Sequence, residues 1–367
     1  MVEKTKLGIL YGGRSGEHEV SLMSARSVLN VIDRQKFDVI EIGITKEGQW
    51  YVGGDVWAKL KDEKYQDLLP AFLRPWPQDP GVYVQENGTL ALYAKLDVLF
   101  PVLHGTYCED GALQGLLELA DIAYVGAGVL GSSACMDKGL FKDVMTANGI
   151  PTLPHRVFNR TEIQSDIDEC LKQAETIAPY PLFTKPANLG SSVGISKCMN
   201  RSDLMKGLQQ ASLYDRRILV EKGIDNPREI EVSILGNEIP KASIPGEIIP
   251  KDIFYTYNEK YINDTAELII PAPIPEEIAS RVQKLAILAY QATDCAGMAR
   301  VDFLLEQNTN ALYLNEINTI PGFTSISMYP KLWEASGQTY PLLIEQLIEL
   351  ALARKAQRDE TIREYRG

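Results

Sequence analysis

The chain has 367 residues, of which 45% are hydrophobic and 23% charged, enough length and apolar content to bury the cores of two or three domains. Its 49 acidic against 37 basic residues leave a net charge of −12, which excludes a sequence-independent grip on nucleic acid or on an anionic membrane. Five cysteines, odd in number and with no CxxC pair, exclude a disulfide framework and a zinc ribbon and fit a reducing cytoplasm. The N-terminus runs directly into a strand without the apolar core of an export signal. The longest charge-free apolar stretch, 122–136, is rich in Gly and Ser and falls short of the roughly 20 residues a membrane span needs. A soluble cytoplasmic protein is expected.

In chain order, residues 7–11 read as a buried strand, 12–16 as a tight turn, and 19–32 as a helix with apolar Val20, Met23, Val28 and Ile32. A second such unit follows, with a strand at 98–103, then His104-Gly105-Thr106, then a helix at 112–120. Together they predict an N-terminal α/β domain over 1–126. Residues 45–95 carry Trp50, Tyr51, Trp57, Trp76 and several prolines without clean periodicity, an elaboration whose function the sequence does not disclose. A helix is expected over 133–148, closed by Asn148-Gly149 with Pro151 beyond. It opens a central part, 127–220, of strand 181–185, a Gly/Ser loop, strand 194–197, helix 202–212 and strand 217–221. The remainder, 221–367, reads as strands at 230–235 and 238–244, a long loop over 248–275, a helix at 276–293, a hairpin at 299–318 and a helix at 340–353. This alternation of hairpins and helices is α+β. The charged run 354–367 is expected to be a fraying, solvated helix end.

The hairpin carries the first chemical signal. With a loop of Asn308-Thr309-Asn310, paired residue numbers sum to about 618 and Asp302 lies opposite Glu316. Period-two geometry then places Arg300, Asp302, Glu316 and Asn318 on one face. Cross-strand carboxylates repel unless a cation lies between them, and two carboxylates with an amide oxygen suit Mg2+ bridging phosphates better than zinc. A solvated hairpin face neutralised by Arg300 accounts for the same residues, since surface ion pairs are common and cheap.

A second signal is the run from Lys185 through Gly190, Ser191, Ser192 and Gly194, a lysine at a strand end followed by small residues whose amides could cradle phosphate. No GxxxxGK[ST] pattern occurs, so this is not a Walker loop. Alone it is an ordinary Gly/Ser turn, and Lys138 alone is an ordinary helix lysine. The two lysines, the loop and the acidic hairpin would each supply a different part of one nucleotide site.

Nine blocks then run in one order along nearly the whole chain. They are Gly12-Gly13-x-Ser15-x-Glu17-x-Glu19-Val20-Ser21, Leu103-His104-Gly105, Glu109-Asp110-Gly111-x-x-Gln114-Gly115 and Met136-Asp137-Lys138. Lys185-Pro186, the 190–194 loop, Glu259-Lys260-Tyr261, Arg300-Val301-Asp302 and Glu316-x-Asn318-Thr319-x-Pro321-Gly322-x-Thr324-Ser325 complete the set. In these blocks the chain resembles the D-alanine–D-alanine ligases, ATP-grasp enzymes of peptidoglycan precursor synthesis. The resemblance implies an ATP-grasp fold with an N-terminal Rossmann-like (pre-ATP-grasp) domain, and ATP held between the 127–220 and 221–367 subdomains.

It also implies roles. Lys138, Lys185, Ser192, Ile224, Lys260 and Leu304 would contact the nucleotide, with Glu221 and Lys222 near the base and Glu229 at the ribose. Asp302, Glu316 and Asn318 match the family's ligands for two Mg2+ ions, with Mn2+ as a substitute. Glu17 would bind the ammonium of the first D-alanine and His104 would contact that substrate. Ser191 and Tyr261, with Glu17, would tie the phosphate loop to a long loop over the site. Arg300 would stabilise the tetrahedral oxyanion, while Ser327 and the Gly322 amide would hold the second D-alanine carboxylate beside apolar Met328. The implied reaction forms an acyl phosphate from one D-alanine, which the amine of the second attacks. A homodimer is implied as well. Glu259-Lys260-Tyr261 favours a dipeptide product over a D-lactate ester; D-serine as acceptor and a non-catalytic ATP-binding regulator stand as alternatives.

Overall fold

The computed structural model describes residues 3–86, 88–190, 193–249 and 267–363. Ser191, Ser192, Lys260 and Tyr261 lie outside the described residues. Three sheets organise the described chain.

The first sheet has the order β6-β5-β4-β3-β2-β1-β7-β8. Its parallel half comprises β1 (Thr5–Gly12), β2 (Phe37–Ile44), β7 (Val98–Val102) and β8 (Ala123–Tyr124). Parallel strands need crossovers that cover both faces. Alternate residues of β1 accordingly enter different cores: Leu7, Ile9 and Tyr11 meet Ala25 and Val28 of α1 (His18–Val31), whereas Leu10 joins Leu113 and Leu117 of α3 (Ala112–Leu119). The 45–95 elaboration is the antiparallel extension, β3 (Trp50–Val52), β4 (Leu69–Leu73), β5 (Gly81–Glu86) and β6 (Thr89–Lys95), with α2 (Val56–Lys61) beside it. Gly12 closes β1 at φ +92°, where a Cβ would stand 2.1 Å from the Ile44 carbonyl oxygen, so the turn admits no other residue.

The helix expected over 133–148 is two helices, α4 (Val129–Met136) and α5 (Lys138–Ala147). Asp137 breaks them apart: its backbone is extended and its carboxylate accepts the Gly139 and Leu140 amides, an N-cap in mid-pattern. Lys138 therefore starts a helix rather than sitting inside one.

The second sheet, β11-β10-β12-β9, is antiparallel and built from β9 (His155–Asn159), β10 (Leu182–Pro186), β11 (Ser196–Cys198) and β12 (Arg217–Lys222). One face packs Leu182, Ile218 and Val220 against α6 (Arg160–Ser165), α7 (Ile167–Glu175) and α8 (Arg201–Tyr214). The opposite face carries Lys185 and Glu221.

The third sheet runs β16-β15-β13-β17-β18, with β14 (Lys241–Ala242) beside β13 (Arg228–Leu235). The strand expected over 238–244 is thus only the short β14. The expected loop over 248–275 includes strand residues of β15 (Gly246–Ile249) and β16 (Glu267–Ile269). Ile230, Val232 and Ile234 of β13 and Ala299, Val301 and Phe303 of β17 (Met298–Leu305) pack with Val282, Ala286 and Ala289 of α9 (Glu276–Ala292). The alternate residues of β13 and β17 line the other face.

The 354–367 run is a correction. After α10 (Met328–Ala335), helix α11 continues through Tyr340–Asp359 instead of fraying at 353. Arg354 donates to the Tyr124 carbonyl, and Arg358 and Lys355 pair with Asp121 at 2.9 and 3.1 Å. Leu343, Ile344, Leu347 and Ile348 of this helix share the core of the first sheet. Among the described residues no helix is long and apolar enough to cross a membrane.

Candidate active site

The hairpin of β17 and β18 (Leu312–Asn318) sets the site's register. Arg300 pairs with Asn318 and Asp302 with Glu316, the register expected from the sequence. The route to it differs. The turn begins one residue earlier, at Glu306 opposite Ala311, with Asn310 at φ 55°, and a bulge beyond Asp302 restores the offset. Arg300 Nε and Nη2 donate to Asp302 Oδ1 and Oδ2 at 2.8 and 2.6 Å, and Asn318 Nδ2 donates to Oδ2 at 3.0 Å. The cross-strand carboxylates thus have a basic neighbour.

A third carboxylate, which the sequence reading passed over, extends the row. Glu231 on β13 pairs in register with Asp302 and lies 3.0 Å from Arg300 Nε. Its signal was present in the alternation of Glu229 and Glu231 with buried Ile230 and Val232. Glu229 stands two residues away on the same face, opposite Leu304.

Facing lysines come from the second sheet and α5. Lys185 pairs with Glu221 Oε1, and Lys142 Nζ lies 2.9 Å from Glu221 Oε2. Lys142 was not anticipated, although its spacing of four from Lys138 puts both on one helical face. Burial works to raise the Glu221 pKa, but Lys142 and Lys185 outweigh it and bring the carboxyl down to about 2. For Lys185, burial pulls down while Glu221 beside it, with Glu316 and Glu229 beyond, holds the ammonium above its ordinary value. Burial depresses Lys138, whose Nζ donates at 2.7 Å to the Leu189 carbonyl at the base of the Gly/Ser loop. Lys222 and Ile224 line a cavity of about 530 Å³ with Tyr180, Pro181 and the hairpin-turn residues Glu306 and Gln307.

Glu17, at the N-cap of α1, makes no side-chain cap hydrogen bond. Its carboxylate lies between two glycines instead: a Cβ on Gly105 or Gly190 would come within 2.7 or 3.2 Å of Glu17 Oε2. The structure therefore brings Glu17 to the base of the Gly/Ser loop.

His104, expected as a substrate contact, has both ring nitrogens beside groups of the chain itself. Nδ1 lies 3.0 Å from the Ile320 carbonyl oxygen and Nε2 lies 3.2 Å from Ser24 Oγ, and Ser24 Oγ in turn accepts the Phe323 amide. Donation from Nδ1 to the carbonyl and acceptance by Nε2 from the hydroxyl satisfies every group with a neutral ring, and burial lowers its pKa accordingly. Glu109 accepts the amides of Gly105 and Ile320. Both backbone groups of Ile320 are thus held from the loop after β7. This fastens the segment that presents Gly322 and Ser327, which adjoin: a Cβ on Gly322 would lie 2.7 Å from Ser327 Oγ. Ser327 Oγ also bonds the Thr324 amide at 3.0 Å. Met328 is buried and packs its sulfur toward Gly246.

Among the described residues no three His, Cys, Asp or Glu side chains converge as a metal cage. Two facing carboxylates with an adjoining Asn form an incomplete set of hard oxygen donors, the kind a Mg2+ ion completes with phosphate oxygens and water.

The chain has relatives among known proteins along nearly its whole length. Residues 6–127 match the family model "D-ala D-ala ligase N-terminus" and residues 144–349 match "D-ala D-ala ligase C-terminus". A D-alanine–D-alanine ligase of Thermoanaerobacter pseudethanolicus is 52% identical over 96% of this chain and 97% of its own length. That of Natranaerobius thermophilus is 46% identical over 99% of both. Among solved structures, the D-alanine–D-alanine ligase of Coxiella burnetii superposes with a TM-score of 0.83 at 37% identity, covering 98% of this chain and 97% of that one. A D-Ala:D-Ser ligase of Enterococcus faecalis gives 0.85 at 34%, covering 95% and 100%.

Proposed function

We propose, from the premise that this chain belongs to the D-alanine–D-alanine ligase family, that the cleft between the second and third sheets carries out its ATP-dependent joining of two D-alanine molecules for peptidoglycan synthesis. The observation that carries the residue assignment is the Asp302–Glu316 pair with Arg300 set against it, facing the lysines of the second sheet.

Phosphoryl transfer between two anions depends on positioning and on cations. Lys138 and Lys185, with Lys260 and the Ser192 amide, hold the nucleotide phosphates; Glu221, Lys222, Ile224 and Leu304 surround the base and Glu229 takes the ribose. Asp302, Glu316 and Asn318 would hold two Mg2+ ions, which would supply positive charge to the phosphates when bound. Mn2+ offers the same octahedral oxygen preference.

Glu17 takes the ammonium of the first D-alanine, whose carboxylate attacks the γ-phosphate to give an acyl phosphate and ADP. The amine of the second D-alanine then attacks the acyl carbon, and phosphate leaves. Arg300 faces the oxyanion formed in that step, where a fixed cation in a water-poor cleft is worth most. The Gly322 amide and Ser327 hydroxyl take the second carboxylate, with Met328 forming apolar wall behind. His104 serves the first substrate indirectly, by fixing the loop beside it. Ser191 and Tyr261 close the site with Glu17. The protein works in the cytoplasm as a homodimer, a reading supported by the family likeness.

The test is incubation with ATP, Mg2+ and D-alanine, alone or with D-serine or D-lactate, and identification of products by mass. D-alanyl-D-alanine as the main product is expected. A mixed product dominating at equal acceptor concentrations would overturn the acceptor assignment, and bound but unconsumed ATP would overturn catalysis.

A further inference from the structure

Glu231 lies in none of the sequence blocks that carry the family likeness, and the chemistry above makes no use of it. It nevertheless occupies the centre of the cleft face. Glu231, Asp302 and Glu316 form one row across β13, β17 and β18, and Arg300 is set between the first two. Glu231 is only 5% exposed.

Asp302 has two demands on it. Its Oδ2 accepts from both Arg300 and Asn318, which uses that oxygen's two lone pairs, and its Oδ1 accepts from Arg300 again. A divalent cation held by Asp302 would compete with the guanidinium for that carboxylate. An arginine so released in a largely buried cleft needs another anion, because an uncompensated buried charge is strongly unfavourable. Glu231 Oε2, 3.0 Å from Nε, is that anion, and it approaches from the side opposite β18.

We infer that Glu231 is a positioning residue for Arg300, keeping its guanidinium in the cleft and directed at the reacting carbon when Asp302 serves the metal. This rests on the reading of Asp302 as a metal ligand and Arg300 as the oxyanion donor. It adds that Arg300 exchanges its main partner during the cycle and that its aim is set from β13.

The experiment compares Glu231→Gln, Glu231→Asp, Arg300→Met and the double variant Glu231→Gln/Arg300→Met. Steady-state rates are measured alongside Mn2+ titration with ADP present, following the free ion by electron paramagnetic resonance. Glu231→Gln should lower kcat by about 10- to 100-fold, short of the loss of a whole oxyanion donor, with KM for ATP within about two-fold. It should weaken Mn2+ binding several-fold, since Arg300 then holds Asp302 without competition. Glu231→Asp, which keeps the charge on a shorter arm, should recover part of both. In the Arg300→Met background the Glu231→Gln change should alter Mn2+ affinity little, because its effect passes through the arginine.

An unchanged kcat in a folded Glu231→Gln protein would overturn the inference. So would an equal Mn2+ penalty in both backgrounds, which marks Glu231 as a direct contributor of charge. A misfolded Gln variant shifts the decision to Glu231→Asp, where wild-type kcat and Mn2+ affinity would count against the proposal. Retained dipeptide synthesis by Arg300→Met and by Asp302→Asn would instead defeat the underlying site reading, an outcome separate from an inert Glu231.

Discussion

Lys142 Nζ lies 2.9 Å from Glu221 Oε2, and both side chains are buried to within 2% of full enclosure. Because Lys185 takes the other carboxylate oxygen, one anion is shared by two cations and the trio keeps a net positive charge facing the cleft. Lys142→Met removes that surplus. It should cost about 3 kcal/mol in chemical denaturation, as expected when one partner of a buried ion pair is lost. It should also weaken ATP binding, because Glu221 then neutralises Lys185 alone. Nucleotide titration of the folded variant checks this; unchanged ATP affinity would show that the pair is structural only.

The same trio predicts an acid limit. Burial raises the Glu221 pKa, Lys142 and Lys185 more than reverse it, and the folded value falls to about 2 from an ordinary 4.5. A depressed carboxyl pKa stabilises the fold at pH values above 4.5, and that contribution is lost as pH falls through the folded value. Melting temperature should therefore drop between pH 4.5 and about 2, and Glu221→Gln should flatten that part of the curve. An equally steep profile in the variant would assign the acid transition to other groups.

Ser24→Ala should loosen the fastening of the 320–323 segment. Ser24 is fully buried and links His104 Nε2 to the Phe323 amide, so its loss strands a buried amide at a cost of about 1–3 kcal/mol. Gly322 directly precedes Phe323 in the held segment. The KM for the second D-alanine should rise several-fold while that for ATP stays near its starting value, a split visible in initial-rate kinetics with both substrates varied. A parallel rise in both constants would point to general damage.

Gly105→Ala tests the seat of Glu17. The position has φ +78°, and an added Cβ would lie 2.7 Å from Glu17 Oε2, so the carboxylate must move. We expect kcat/KM for the first D-alanine to fall by at least about ten-fold, since small misplacements of a positioning group are costly in rate. Full activity would separate Glu17 from substrate binding.

The βα units, the hairpin and its polar face were legible because period-two and 3.6 patterns report burial directly. The register at Asp302 came out as expected although the turn did not, since a bulge midway along the hairpin compensates for a turn one residue off. Neither feature has a strong sequence signature. Asp137 escaped notice as a helix break because its cap is recognisable only when the chain around it is known to turn. Glu231 and Lys142 were missed for a shared reason: each is a charged residue on a buried surface, and its partner is remote in sequence and comes from another element. His104 illustrates the converse, a residue conspicuous in the sequence whose nitrogens are engaged by backbone and hydroxyl groups far along the chain.

Helix α11 packs against β7, β8 and α1 in the core that also holds Leu7, Ile9 and Tyr11, and Arg354 and Arg358 fasten it to the 121–126 segment. The sheet of 5–124 consequently lacks one wall until the 340–359 helix has been synthesised. That sheet must wait, partly bare, for a helix encoded more than two hundred codons later. A chain cut short in α11 would leave that apolar face exposed, so the folding of this sheet doubles as a check that α11 has arrived.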